Sequence, residues 1–386
     1  MTARPTFPGL DTMRAIAAVV VVATHTFFWS GFYSRGTLGV AAHRLEVGVP
    51  IFFVLSGFLL AYPYLARLQN GARHDDLGQY AVKRVARIVP VYLVTVVLAL
   101  ALVHQDTGPA VRTWFSNLLM YDYYLSENLP RGLAQMWSLY IEVAFYAALP
   151  VLMWLAAVLC GRRWQPRRLL LLLAALTLVN VAWLLADQSL RALPGYLLWF
   201  SVGIALAVGH LQLRAATGDP GRSLRVLTAL AAAPGICWLM AIAAFALAST
   251  PLTGPASLAP RSTGELVMRL VLYAAVAGLI VLPSVLGPTD TRYARAMATP
   301  WARHLGHISY SLFCVHIVVL ELVAPALGFR LFDSNPLLLF VAVLAISLVA
   351  AELLYRLVEK PVMDLVHRRR RSHGARTAPI STSTHA

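Results

Sequence analysis

Ten apolar runs, each close to twenty residues long, recur along the chain at approximately 14–33, 46–64, 88–104, 139–160, 168–186, 192–210, 227–249, 266–286, 305–325 and 336–358. A helix rises about 1.5 Å per residue, so about 20 consecutive apolar residues cross the hydrocarbon core of a bilayer. Hydrophobic residues make up 59% of the 386-residue chain and charged residues only 13%, which leaves too little polar surface to cover a water-soluble globule. The pattern predicts an all-α polytopic membrane protein with ten spans. Soluble-enzyme, disordered and secreted disulfide-scaffold classes are excluded on the same ground.

Charge orients the spans. Of the 32 Lys and Arg residues, 22 fall in the N-terminus, the even-numbered loops and the C-terminal tail, seven in the opposite loops and three (Arg14, Arg269, Arg356) inside the runs. Cytoplasmic loops carry the Lys/Arg excess, so both termini are expected in the cytoplasm of a bacterial inner membrane. The first run is too long for a signal peptide and no A-x-A-like site follows it. Residues 1–366 are expected to form the membrane domain and 367–386, with the Arg368–Arg371 run, a basic disordered cytoplasmic tail. The stretch 105–138 holds Trp114, Phe115, Tyr121, Tyr123 and Tyr124, which suits a short helix or re-entrant segment at the outer interface. The net charge of +15 follows the loops rather than one clustered face, so no nucleic-acid partner is expected. Cys160, Cys237 and Cys314 have no ligand spacing, so neither a disulfide framework nor a metal site is expected. The sequence leaves room for a homo-oligomer.

Ionisable residues inside apolar runs point to function, because each costs about 2.5–3.5 kcal/mol on insertion scales. The first run carries Asp11, Arg14 and His25. Eleven residues make almost three whole rotations, so Arg14 and His25 share one helix face roughly 16 Å apart, with Asp11 one turn before Arg14. That stripe predicts a cation near the cytoplasmic mouth and an imidazole near mid-membrane; a lone His bonded to a neighbouring helix is the plainer alternative. Ser56 and Gly57 sit in an apolar segment where close helix packing explains them equally well. Lys83, Arg84 and Arg87 open the third run, as a phosphate-binding cluster or as a positive-inside anchor. Glu142 stands alone among apolar residues one turn after Ser138, with Trp137 before it. Ser309, Tyr310 and His316 lie along a late run, and Glu352 and Arg356 form an i,i+4 pair read as structural.

Arg14-x10-His25, Phe52-Phe53-Val54-Leu55-Ser56-Gly57-Phe58, Arg84-x-x-Arg87, Trp137-Ser138-Leu139-x-x-Glu142-x-x-Phe145-Tyr146, Ser309-Tyr310-Ser311-Leu312 with His316, and Glu359-x-Pro361 together resemble the acyltransferase-3 family. The resemblance runs through almost the whole membrane region. It implies transfer of an acyl group, usually from acyl-CoA as co-substrate and with no other cofactor, to a hydroxyl. Acceptors in the family are sugars of glycans or glycolipids and antibiotics such as macrolides.

On that footing His25 is expected to act as general base on the acceptor hydroxyl, with Glu142 orienting its ring. Arg14, Lys83, Arg84 and Arg87 are expected to hold acyl-CoA, Arg14 belonging to the catalytic group as well. Asp11, Ser56, Trp137, Ser138, Tyr310 and His316 are candidates for the pocket or the oxyanion site. A covalent route through Ser56 or Ser138 has no base visible at fixed spacing. The rival from another class is a transporter or flippase of a lipid-linked sugar or amphipathic molecule, which predicts discontinuous helices and no basic CoA mouth.

Overall fold

The structure is a computed structural model that describes residues 7–72, 77–104, 110–126, 128–187, 191–256, 259–366 and 368. The expected tail therefore lies, apart from Arg368, outside the described residues. Every regular element among them is helical. In chain order these are α1 (Pro8–Trp29), α2 (Gly36–His43), α3 (Gly48–Gln69), α4 (Leu77–Leu98), α5 (Val111–Leu118), α6 (Asp122–Leu125), α7 (Trp137–Leu159) and α8 (Pro166–Asp187). There follow α9 (Leu197–Ala215), α10 (Arg222–Ala231), α11 (Pro234–Ala248), α12 (Thr263–Leu286), α13 (Arg292–Met297), α14 (Pro300–Ala326) and α15 (Pro336–Leu354). Among the described residues nine helices are long and apolar enough to cross a membrane. The chain is an all-α, multi-pass membrane protein.

The seventh of the ten expected spans differs. The run 227–249 is not one helix: α10 and α11 meet at 94°. Pro234 opens α11 and lacks the N–H a continuous helix needs, and it pushes Ala233 out of the helical region, to φ −115° and ψ 70°. The predicted interfacial stretch before α7 folds as α5 and α6, and Phe115 on α5 is exposed.

Close helix crossings position the site. A Cβ at Gly57 on α3 would overlap the Phe200 carbonyl of α9, and one at Gly203 on α9 would overlap the Val54 carbonyl of α3. Without side chains at these points the two backbones touch, which is how helices associate where lipid removes the hydrophobic driving force. Phe200 then stacks between Phe53 at 4.6 Å and Phe145 of α7 at 3.9 Å, tying three helices into one wall. Gly306 does the same for α14, whose backbone meets that of Asp11 on α1.

α1 starts six residues earlier than its apolar run. Pro8 supplies the pre-set φ of a first-turn residue, and the helix stops at Trp29 before Gly31 turns the chain with φ +75°. His25 therefore sits about 26 Å along α1, near its far end rather than midway. α15 runs into a π-helical turn, Tyr355–Glu359, that carries the Glu359 side chain inward to full burial.

Candidate active site

α1, α3, α4, α7 and α14 enclose a cavity of about 320 Å³. Its polar lining is Arg14, Ser56, Arg84, Arg87, Ser138, Glu142, Tyr146, Ser309 and Tyr310, and Phe52 and Phe313 complete one wall. Residues separated by up to 299 positions thus meet in one chamber, through the glycine crossings just described.

Three arginines stand on its cationic side. Arg14 is 3.5 Å from Asp11, whose other oxygen faces Arg303 at 3.7 Å and His307 at 3.8 Å. Arg84 lies between the rings of Tyr80 and Tyr146, 5.9 and 5.8 Å from their centroids, with its buried Nε unpartnered. Arg87 pairs with the fully buried Glu359, which also accepts a 2.7 Å hydrogen bond from Ser311. Arg84 thus keeps donor capacity for an anion, whereas Arg87 is largely committed to Glu359. Lys83 does not line the cavity.

One oxygen of Glu142 accepts hydrogen bonds from Ser56 and, at 2.6 Å, from Tyr146, the ring against which Arg84 packs. Glu142 was expected to orient His25; its described hydrogen bonds go to these two hydroxyls instead. Ser56, which had no visible base in the sequence, has one in space.

His25 lies outside the cavity lining, and its partner is His316. Each ring places Nδ1 against a carbonyl: His316 on Phe313 at 2.7 Å and His25 on Val21 at 2.9 Å. A carbonyl only accepts, so both Nδ1 atoms carry the proton in the neutral rings. This assignment is made from the hydrogen-bond network. His316 Nε2 then accepts from His25 Nδ1, and the lone pair of His25 rests on Nε2. Glu46, not singled out in the sequence, lies 3.1 Å from Arg269 and 3.0 Å from the Tyr273 hydroxyl. Between this pair and the cavity stands Phe313, whose ring centroid is 6.1 Å from that of His316 and 5.9 Å from that of Phe52.

The profile of a family described as an acyltransferase domain matches residues 7–356. The chain belongs to the acyltransferase-3 family. It is similar to the peptidoglycan O-acetyltransferase OatA of Listeria monocytogenes, 26% identical over 92% of this chain, and spans 55% of that protein's length. It is also similar to the acyltransferase MdmB of Streptomyces mycarofaciens, 25% identical over 94% of this chain and 93% of the relative. The O-acetyltransferase OatA of Staphylococcus aureus is 27% identical over 45% of this chain and 28% of its own. No solved structure matches the chain.

The remaining expected residues of this acyltransferase-3 chain fall in three places. Ser138 lines the cavity, and its hydroxyl donates to the Gln135 carbonyl at 3.4 Å. Tyr310 lines it too, but its hydroxyl donates to the Ile88 carbonyl at 2.8 Å, so that O–H is not turned to a reacting oxygen. Asp11 stays outside the lining as the anchor of Arg14, and Trp137 packs its ring 5.5 Å from that of Tyr196. Sequence reasoning gave no role to Tyr146, Glu359 or Glu46. Tyr146 had a local signal, one turn after Glu142. Glu359 had only its place in the Glu359-x-Pro361 motif and Glu46 had no signal, and neither pairing could be read because the cationic partners lie 272 and 223 residues away. Glu352, read as structural, holds both Arg356 at 2.5 Å and His304 at 2.8 Å.

Proposed function

We propose that this chain is an O-acyltransferase of a bacterial cytoplasmic membrane. It moves an acyl group from acyl-CoA to a hydroxyl of a sugar-containing acceptor, either a macrolide antibiotic or its sugar, or an envelope glycolipid or glycan. The observation that carries this reading is the arginine-walled cavity that ends one aromatic ring short of the His25–His316 pair. Arg14 and the unpartnered Nε of Arg84 suit the phosphate-bearing end of CoA. The pantetheine arm would extend along the roughly 16 Å from Arg14 to His25. Phe52 and Phe313 must part for the thioester to pass.

At the thioester, His25 Nε2 takes the proton of the acceptor hydroxyl as its oxygen attacks the acyl carbon. The C–S bond breaks, and the imidazolium returns the proton to the CoA thiolate. A base so placed contributes about 10²–10⁴-fold.

The Ser56–Glu142 hydrogen bond favours a second reading, a covalent relay. Ser56 Oγ attacks the thioester inside the cavity and its proton passes through Glu142 to the leaving thiolate; the acceptor hydroxyl then attacks the Ser56 ester, the Oγ–acyl bond breaks, and the acceptor's proton returns through Glu142 to Ser56 Oγ. A transporter reading gains less. It needs a discontinuous helix at the binding site, and the bent α10–α11 pair contributes no residue to the cavity lining.

Purified protein incubated with acetyl-CoA and a panel of hydroxylated glycans and macrolides tests the proposal. Acceptor-dependent release of free CoA is the expected result. Acceptor movement across proteoliposomes with no thiol released would favour the transporter.

A further inference from the structure

A second cavity, of about 330 Å³, opens at the end of the bundle where α1 begins. Phe7–Gly9, the last turns of α9 and α12, and α13 surround it, and it shares no lining residue with the arginine-walled chamber. Three of its lining residues, His210, Ser284 and Tyr293, carry buried polar atoms without a hydrogen-bond partner: Nε2, Oγ and the phenolic oxygen. Folded proteins leave few such atoms, so three on one cavity mark a place where something else supplies the partners.

The chemistry of the missing partner can be read from the donors and acceptors. His210 Nδ1 lies 2.8 Å from the Val285 carbonyl and so carries the proton, which makes Nε2 an acceptor in the neutral ring. The ring is fixed edge-on between Phe7 at 5.1 Å and Tyr62 at 5.6 Å, so the lone pair has a set direction. Arg214 follows His210 by one turn of α9 and adds a positive charge on the same face. The Ser284 hydroxyl packs against Gly9, where a Cβ would come within 2.8 Å of it. The site therefore offers a cation and two hydroxyl donors beside one fixed acceptor.

We propose that this cavity binds a phosphate ester whose alcohol part carries a free hydroxyl. The phosphate oxygens accept from Arg214, Ser284 and Tyr293, and the ligand hydroxyl donates to His210 Nε2. A phosphoglycerol unit has this chemistry, either as the headgroup of an anionic lipid or as a soluble glycerol phosphate.

The test is thermal unfolding of the purified full chain in detergent, titrated separately with dioleoylphosphatidylglycerol, sn-glycerol 3-phosphate and dioleoylphosphatidylcholine. The last shares the phosphate but has no hydroxyl to donate. A saturable rise in Tm with one or both of the first two, and none with the third, is expected. A response to the lipid alone assigns the headgroup as ligand, and a response to the soluble ester assigns a metabolite. Tyr293→Phe and Ser284→Ala each remove one donor and should weaken binding about fivefold, and His210→Phe, which keeps the aromatic packing, should do the same. Native mass spectrometry of bound phosphatidylglycerol gives the same comparison for a variant whose Tm is itself lowered. No response to either of the first two compounds, an equal response to all three, or unchanged affinity in both Tyr293→Phe and Ser284→Ala would overturn the proposal.

Discussion

Nε2 of His316 stands 3.1 Å from Nδ1 of His25, joining two helices at residues 291 positions apart. The Phe313 and Val21 carbonyls fix the proton on Nδ1 of each ring, and the contact then engages Nε2 of His316, which leaves one basic nitrogen, on His25, for chemistry. His316 contributes no lone pair of its own, because its Nε2 is already engaged; it positions the base.

His25→Ala should lower kcat by about 10²–10⁴-fold with little change in the affinity for acyl-CoA, since the arginine wall is untouched. His316→Phe keeps the bulk but deletes the acceptor, so kcat should fall by about tenfold while KM for acyl-CoA holds. Steady-state kinetics of both variants check this. A His316→Phe enzyme with lowered Tm and parental kcat would reduce His316 to packing.

Ser56→Ala and Glu142→Gln separate direct transfer from the relay. Under direct transfer both variants should retain activity within about tenfold, because neither residue touches the base. Under the relay both should be nearly inactive, and the parent protein should carry a hydroxylamine-labile acyl group on Ser56 after mixing with acyl-CoA alone. Intact-protein mass spectrometry reads the adduct.

Arg87→Ala should destabilise the fold by about 3 kcal/mol or more, because it leaves the fully buried Glu359 carboxylate without its cation. The double variant Arg87→Ala with Glu359→Gln should recover much of that stability. If Arg87 also contacts CoA, the double variant will still show a raised KM for acyl-CoA. Thermal unfolding beside kinetics distinguishes the two roles.

Gly203→Ala should be among the most damaging single-methyl additions in the chain, since the new Cβ meets a backbone carbonyl that cannot yield. Gly209→Ala, six residues on in α9, meets only the ends of leucine side chains at 3.7 and 3.9 Å and should be nearly neutral. Yield of monodisperse protein and Tm, compared between the two, checks the contrast.

The Arg14–His25 stripe was legible because both residues ride one helix and a fixed rotation per residue places them. In the structure Arg14 lines the cavity while His25, three turns on along α1, lies outside its lining, a difference that the rotation per residue does not reveal. Glu142 stood out in the sequence as a lone carboxylate in an apolar segment, yet its partners in the structure, Ser56 and Tyr146, were not those expected. The seventh run was visible as hydrophobicity, but hydrophobicity does not show a 94° break. Pro234 was the local signal for it.

What the sequence determined alone is the set of spans and the residues that cannot rest against lipid. Both follow from local quantities: the length of an apolar run against the thickness of a bilayer, and the cost of placing a charge inside it. Which of those polar groups meet was decided only in three dimensions. Pairing across helices depends on the rotation and tilt of each helix about its neighbours. Contacts such as Gly57 on Phe200 and Gly306 on Asp11 set these, and their partners lie far apart along the chain.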